Sequence, residues 1–235
     1  MGLRDILTGR HEVRGPAPDR LFAITTAYVT LSSEHQIETL GSAAIVFQAL
    51  ATSEFEATLR DMEEVVKATG GDSGTTVSTE DDSYGYRWMI LRNPSGAPSV
   101  EDLAVGINAV SSSIETAGHG ERLLCAVFSF RDASGPAAQS VGAEDELAAG
   151  SAAAQAAAEG DRPAGAGAGA TVAKAGARIY FIYNYKRGFW YPFVPAAGEQ
   201  QRSTERELQI KAQMASELPM EPELERWFPL WGIPI

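Results

Sequence analysis

Apolar residues recur along the chain with two different periods, and the switches between them mark its elements. Ala43 to Leu50 is a short apolar run. Ser53, with Glu56 three residues on, has the form of a capping box. Phe55, Leu59, Met62 and Val66 then follow at helical spacing, which predicts a helix with one buried stripe, ended by Gly70-Gly71. Tyr84 to Arg92 alternates instead. Tyr86, Trp88 and Ile90 fall on one face and Met89 and Leu91 on the other, which predicts a strand. Pro94 to Gly96 turns the chain, and Ser99 caps a second helix. That helix turns Val100, Leu103, Ile107, Val110 and Ile114 inward and has Gly118 as a left-handed stop. Leu123 to Phe130 and Ala177 to Tyr185 read as the most apolar strands, and Thr204 with Glu207 caps a last helix to about Leu218. Between residues 20 and 40 the pattern is mixed. Thr25 to Leu31 has strand composition and the remainder is undecided. Strands that follow one another with no helix between favour an α+β fold, an antiparallel or mixed sheet with helices packed on it, over a doubly wound parallel sheet.

Residues 132–175 break the pattern. Of these 44 residues 18 are Ala and 7 are Gly, and none is aromatic. The Gly165 to Ala170 alternation opposes helix, because each Gly costs about 1 kcal/mol relative to Ala. So little large apolar surface cannot offset an ordering cost of roughly 1–2 kcal/mol per residue. The segment reads as a disordered insertion within a single domain spanning 1–235, since both flanks read as strands. A flexible chain of that length has an end-to-end distance of roughly 35–40 Å, ample to join neighbouring strands.

Composition removes several function classes. A net charge of −12 and a pI near 4.7 argue against nucleic-acid binding, which needs clustered cations. One cysteine excludes an internal disulfide framework and a cysteine-based zinc site. No stretch approaches the roughly 18 apolar residues of a spanning helix, and Met1 to Arg10 has no signal-peptide core. A soluble, cytoplasmic protein is the expectation. The leader reads as a short local helix or a handle for a partner.

Candidate chemistry is sparse. His11, His35 and His119 each stand alone, and Cys125 sits inside an apolar strand as a small hydrophobe. Gly71-Asp72-Ser73-Gly74 has the form of a serine-protease motif without the rest of that architecture, and reads as a polar turn. Asp72, Glu80, Asp81 and Asp82 read as a solvated acidic loop. Neither a catalytic constellation nor a cofactor motif emerges, and the expectation is a protein that is not an enzyme.

Two stretches carry more signal. Residues 179–193 hold eight of the chain's twenty aromatics around Lys186-Arg187-Gly188. They read as a β-hairpin whose rings fill the core, with Gly188 at a positive-φ turn position and Lys186 and Arg187 exposed at the tip. Interleaved aromatics and cations also suit a protein-binding surface or stacking on single-stranded nucleic acid, and the acidic balance sets the latter aside. The C-terminal stretch is aromatic and proline-punctuated. Left in water, Trp227, Phe228 and Trp231 would each forfeit roughly 1.5–3 kcal/mol, so they must dock on this domain or on a partner. Self-docking is the expectation. The candidate interaction residues are Tyr185, Lys186, Arg187, Trp190, Trp227 and Trp231.

Together, MGLRDILTGR at 1–10, DSYGYRWMI at 82–90, LLCAVFSF at 123–130, YNYKRGFWYPF at 183–193 and ELQIKAQMASELPMEPELERWFPLWG at 207–232 resemble the PspA-associated protein PspAB family. The Tyr-Lys-Arg-Gly and Arg-Trp-Phe-Pro stretches are its specific signals. The resemblance implies an actinobacterial protein encoded beside PspA, the phage-shock envelope-stress protein, and often near an HtpX-like membrane metalloprotease. It carries over no catalytic residue, cofactor or metal ligand. The implied function is a non-enzymatic accessory protein that contacts PspA or another product of its operon, reaching the inner face of the membrane only through a partner. Two other readings stay open: a sensor or enzyme with a small-ligand pocket lined by Tyr84, Tyr86, Trp88 and the 180–193 hairpin, and a secretion-chaperone-like client binder.

Overall fold

The computed structural model describes residues 18–50, 52–69, 74–82, 84–94, 96–134 and 177–235. The leader, most of the Gly71–Gly74 turn and most of the proposed insertion therefore lie outside the described residues. Elements follow in the order α1 (Pro18–His35), β1 (Ile37–Gln48), α2 (Ser53–Thr69), β2 (Thr76–Asp81), β3 (Tyr86–Arg92), α3 (Val100–Thr116), β4 (Leu123–Asp132), β5 (Arg178–Asn184), β6 (Phe189–Phe193) and α4 (Thr204–Met214). Every strand pairing is antiparallel, in the order β2-β3-β1-β4-β5-β6. This is the α+β architecture the strand pairs implied.

An antiparallel sheet often leaves one face to water. Here both faces are covered from β3 to β6. On the first, Ile45, Phe47, Met89, Leu91, Phe128, Phe130 and Phe181 pack with the apolar stripes of the four helices. On the second, Val46, Trp88, Ile90, Val127, Tyr180, Ile182, Tyr191 and Phe193 are covered by the C-terminal segment through Trp227 and Ile235, with Leu230, Trp231 and Ile233 half-buried. Two covered faces explain why β1, β4 and β5 read as near-continuous apolar runs.

Several local expectations hold. The Phe55–Val66 stripe and the five inward residues of α3 are buried. Ser99 caps α3 by accepting from the Asp102 N–H at 3.1 Å. Its far end is a Schellman stop, with the His119 N–H on the Ile114 carbonyl and the Gly118 N–H on the Glu115 carbonyl, and Gly118 at φ 81°.

Five expectations are corrected. Thr25 to Leu31 is helix, not strand, because Leu21, Ile24, Ala27 and Leu31 form a fully buried stripe on the sheet. Packing of that stripe overrides the β-branched composition. The cap of α2 is Thr52, whose hydroxyl accepts from the Phe55 N–H at 3.3 Å, one residue before the expected Ser53. Glu207 does not cap α4. It lies fully buried, taking the Val194 N–H at 2.8 Å and the Arg202 guanidinium at 2.6 Å. Glu80 and Asp81 belong to the edge strand β2 and not to a loop. The start of the insertion also moves. Asp132 closes β4, receives Arg206 at 2.7 Å and donates its N–H to the Ala177 carbonyl at 2.9 Å.

Candidate functional site

The aromatic hairpin forms as β5, a turn and β6, with Gly188 at φ 67°. A side chain at 188 would crowd the Arg20 guanidinium, whose Nη1 donates to the Gly188 carbonyl at 3.0 Å. Tyr185 and Trp190 point inward. The Tyr185 ring meets Tyr183 edge-on at 5.2 Å and is buried, and burial holds its phenol far above the ordinary value, hence neutral. Trp190 is fully buried against Phe128 and Tyr183 and donates Nε1–H to the Arg20 carbonyl at 2.7 Å. Both rings position the hairpin and leave no face for a partner.

Of the tip cations, Lys186 is exposed and Arg187 is not free. Arg187 donates Nε–H to Glu221 at 2.6 Å and Nη2–H to Glu221 at 3.0 Å and to Glu223 at 3.2 Å. Glu221 is only 2% exposed, so removing this bidentate partner would leave its buried carboxylate without a cation. The pair raises the guanidinium further above its ordinary value. On the outer side, Arg226 and then Arg187 hold Glu223 below the usual carboxylate range. The sequence reading of an exposed Arg187 missed this because Glu221 is 34 residues away along the chain.

These contacts begin the path of the C-terminal segment. Residues 219–221 bridge in parallel to Trp190, with the Trp190 N–H on the Pro219 carbonyl and the Glu221 N–H on the Trp190 carbonyl. Trp227 is 4% exposed and stacks on Tyr191 at 6.2 Å. Its Nε1–H bonds to the Glu221 carbonyl at 3.2 Å, and its own carbonyl accepts from Arg202 at 2.8 Å. Trp231 is half-buried, edge-on to Phe193 at 5.1 Å. Arg92 and Arg178 hold the Pro234 and Ile235 carbonyls, each at 2.8 Å. Trp227 and Trp231 thus dock on their own domain, as expected. Phe228 does not: it is 57% exposed, and Leu224, four residues before it, is 47% exposed. The segment has an inner side that closes the sheet and an outer side with uncovered apolar surface.

Other candidate chemistry stays separate. Strands β1 and β4 lie between β3 and β5, and Tyr84 and Tyr86 are exposed, so these rings do not line a pocket with the hairpin. An open depression of about 400 Å³ lies along α3, lined by Ser112, Ser113, Thr116 and Ala117, none of them aromatic. Burial pushes the Cys125 thiol up to about 12, which leaves it unreactive. His119 packs edge-on against Phe55 at 5.1 Å. Among the described residues no cluster of His, Cys, Asp and Glu has the arrangement to hold a metal ion, and no helix is long and apolar enough to cross a membrane.

A family model described as PspA associated protein B, PspAB, matches residues 1–142 and 166–235. No curated protein and no solved structure matches the chain. The matched ranges take in the hairpin, its tip and the whole C-terminal segment.

Proposed function

The chain belongs to the PspAB family, PspA associated protein B, and from that premise we propose a non-enzymatic accessory protein that acts with PspA in the bacterial envelope-stress response. It works in the cytoplasm through protein–protein contacts and meets the membrane only through its partner. The observation that carries this reading is the family match on both sides of the insertion. The contact surface in this reading is the exposed apolar part of the C-terminal segment, Phe228 and Leu224, with the half-buried Trp231 on the same segment. Covering a large apolar side chain in a complex is worth roughly 1.5–3 kcal/mol, and exposed aromatics are common anchors of interfaces.

The test is affinity capture of the tagged chain from its native host under envelope stress. PspA or another product of its operon should be recovered, and F228A should reduce that recovery without changing the melting temperature. Recovery of neither, alongside a competent positive control, would overturn the proposal.

A further inference from the structure

The two edges of the sheet are finished differently. At β6, residues 219–221 pair with Trp190, and the next outward position is Pro192, which has no N–H. At β2, no described residue bridges to the outer side. The phase of the ladder shows which groups this leaves. The Asp82 N–H donates to the Tyr86 carbonyl at 2.9 Å, so these two residues form a hydrogen-bonded pair. By the alternation of an antiparallel ladder, Glu80 with Trp88, Ser78 with Ile90 and Thr76 with Arg92 do the same. The backbone N–H and C=O groups of Val77, Thr79 and Asp81 therefore point away from the sheet.

The side chains around that edge are mainly acidic and aromatic, with the Arg92 Nη1–H donating to Ser78 Oγ at 3.2 Å near its start. On the helix face, Thr79 Oγ1–H donates to Glu63 at 2.9 Å, and Asp81 pairs with Arg87, which also holds Glu56. On the opposite face Glu80 is exposed. At the β2–β3 turn Tyr84 is 75% exposed and Tyr86 38% exposed, with rings open to a cation.

We propose that the outer edge of β2 is a docking surface for a lysine- or arginine-rich segment of a partner protein, which adds to the sheet as a seventh strand. Its backbone would bond the outward groups of Val77, Thr79 and Asp81, in the manner of β-strand addition. Cations at alternate positions share one face of the added strand and would meet the exposed Glu80 there. A second copy of this chain is disfavoured, because like charges would face each other across the new pairing. The inference deepens the accessory-protein reading by adding a contact at the sheet edge remote from β6, and its test does not involve PspA.

The full chain is titrated with a synthetic decapeptide of alternating lysine and valine, and with a glutamate–valine control, while amide exchange is followed by NMR. Protection should rise at residues 77, 79 and 81 alone, since 76, 78 and 80 already donate within the sheet. T79P should abolish this protection, and E80K should weaken binding about tenfold at low salt. Lysine-peptide binding that leaves 77, 79 and 81 unprotected would be polycation adsorption and would overturn the proposal. So would no binding, equal protection by the glutamate peptide, or protection that grows with protein concentration alone, which marks a second copy on the edge. If PspA capture fails while these amides respond, only the accessory-protein reading falls.

Discussion

Replacing Trp227 with alanine tests whether the C-terminal segment is a structural layer. The side chain is 4% exposed, stacked on Tyr191 and bonded to the Glu221 carbonyl. A buried aromatic of this size removes roughly 150–250 Å² from water, an upper estimate of about 4–6 kcal/mol at 25 cal/mol per Å². Measured losses for buried Trp or Phe to Ala run about 3–5 kcal/mol, and the orphaned Glu221 carbonyl and the lost ring pair belong within that range. Against a total stability of about 5–15 kcal/mol, W227A should lower the melting temperature by roughly 6–20 °C. Its neighbour supplies the control. Phe228 is 57% exposed, so F228A should stay within about 0.5 kcal/mol of the parent. Thermal melts followed by far-UV circular dichroism avoid the signal change that removing a tryptophan causes in fluorescence. Equal melting temperatures for W227A and the parent, or equal losses at 227 and 228, would refute the two-sided picture of the segment.

R187A should cost up to roughly 3–5 kcal/mol in urea unfolding, because it strands the buried Glu221 carboxylate, while the double variant R187L/E221L should recover much of the loss. Asp132 gives an acid signature. Burial alone would raise its pKa, but the Ser134 hydroxyl and N–H and the Arg206 charge outweigh burial and hold it below the ordinary value. A depressed carboxylate stabilises the fold above its unfolded pKa and loses that contribution as pH falls through its folded one, so D132N should flatten the decline in melting temperature below about pH 4. Replacing residues 135–176 with a short Gly/Ser linker should leave the melting temperature within a few degrees, since Asp132 and Ala177 are already hydrogen-bonded neighbours.

How much of this was legible in the sequence depended on whether the partner of a signal was local. The α3 cap and stop are contacts within a few residues, and both are written in the chain as Ser99 and Gly118. The faces of β3 follow from alternation alone, with Trp88 and Ile90 on one side and Met89 and Leu91 on the other. By contrast, α1 is misleading because its threonines and valine are β-formers, and only the sheet beneath Leu21, Ile24 and Leu31 decides the matter. Glu207 imitates a capping residue because Thr204 precedes it at the right spacing, yet Arg202 and the Val194 N–H claim it. β2 escaped notice since an exposed edge strand of Thr, Ser, Glu and Asp has no buried face to give it a period. The candidate surface was half legible. Aromatic density picked out the hairpin and the C-terminal segment, but density does not distinguish a ring that fills a core, such as Trp190, from one left outside it, such as Phe228.

The two apolar faces are closed in different ways, and this bears on how a partner could bind. Four helices close one face of the sheet, and an extended segment of few internal hydrogen bonds closes the other. An element of that kind owes its position to side chains, to the backbone bridge between residues 219–221 and Trp190, and to guanidinium–carbonyl bonds from Arg92, Arg178 and Arg202. Prolines at 219, 222, 229 and 234 restrict the segment when it is detached, which lowers the ordering cost of docking. Docking therefore needs no more regular structure than the bridge to Trp190 and the 3-10 turn Leu224–Arg226, and the outer side can carry Phe228 without disturbing the inner one. A partner that covers Phe228 adds to the same layer and leaves the sheet closed. One that instead displaced the segment would have to replace Trp227 and all three guanidinium contacts together. The first route needs only new contacts and the second needs old ones broken, so covering Phe228 on the docked segment costs less than displacing the segment.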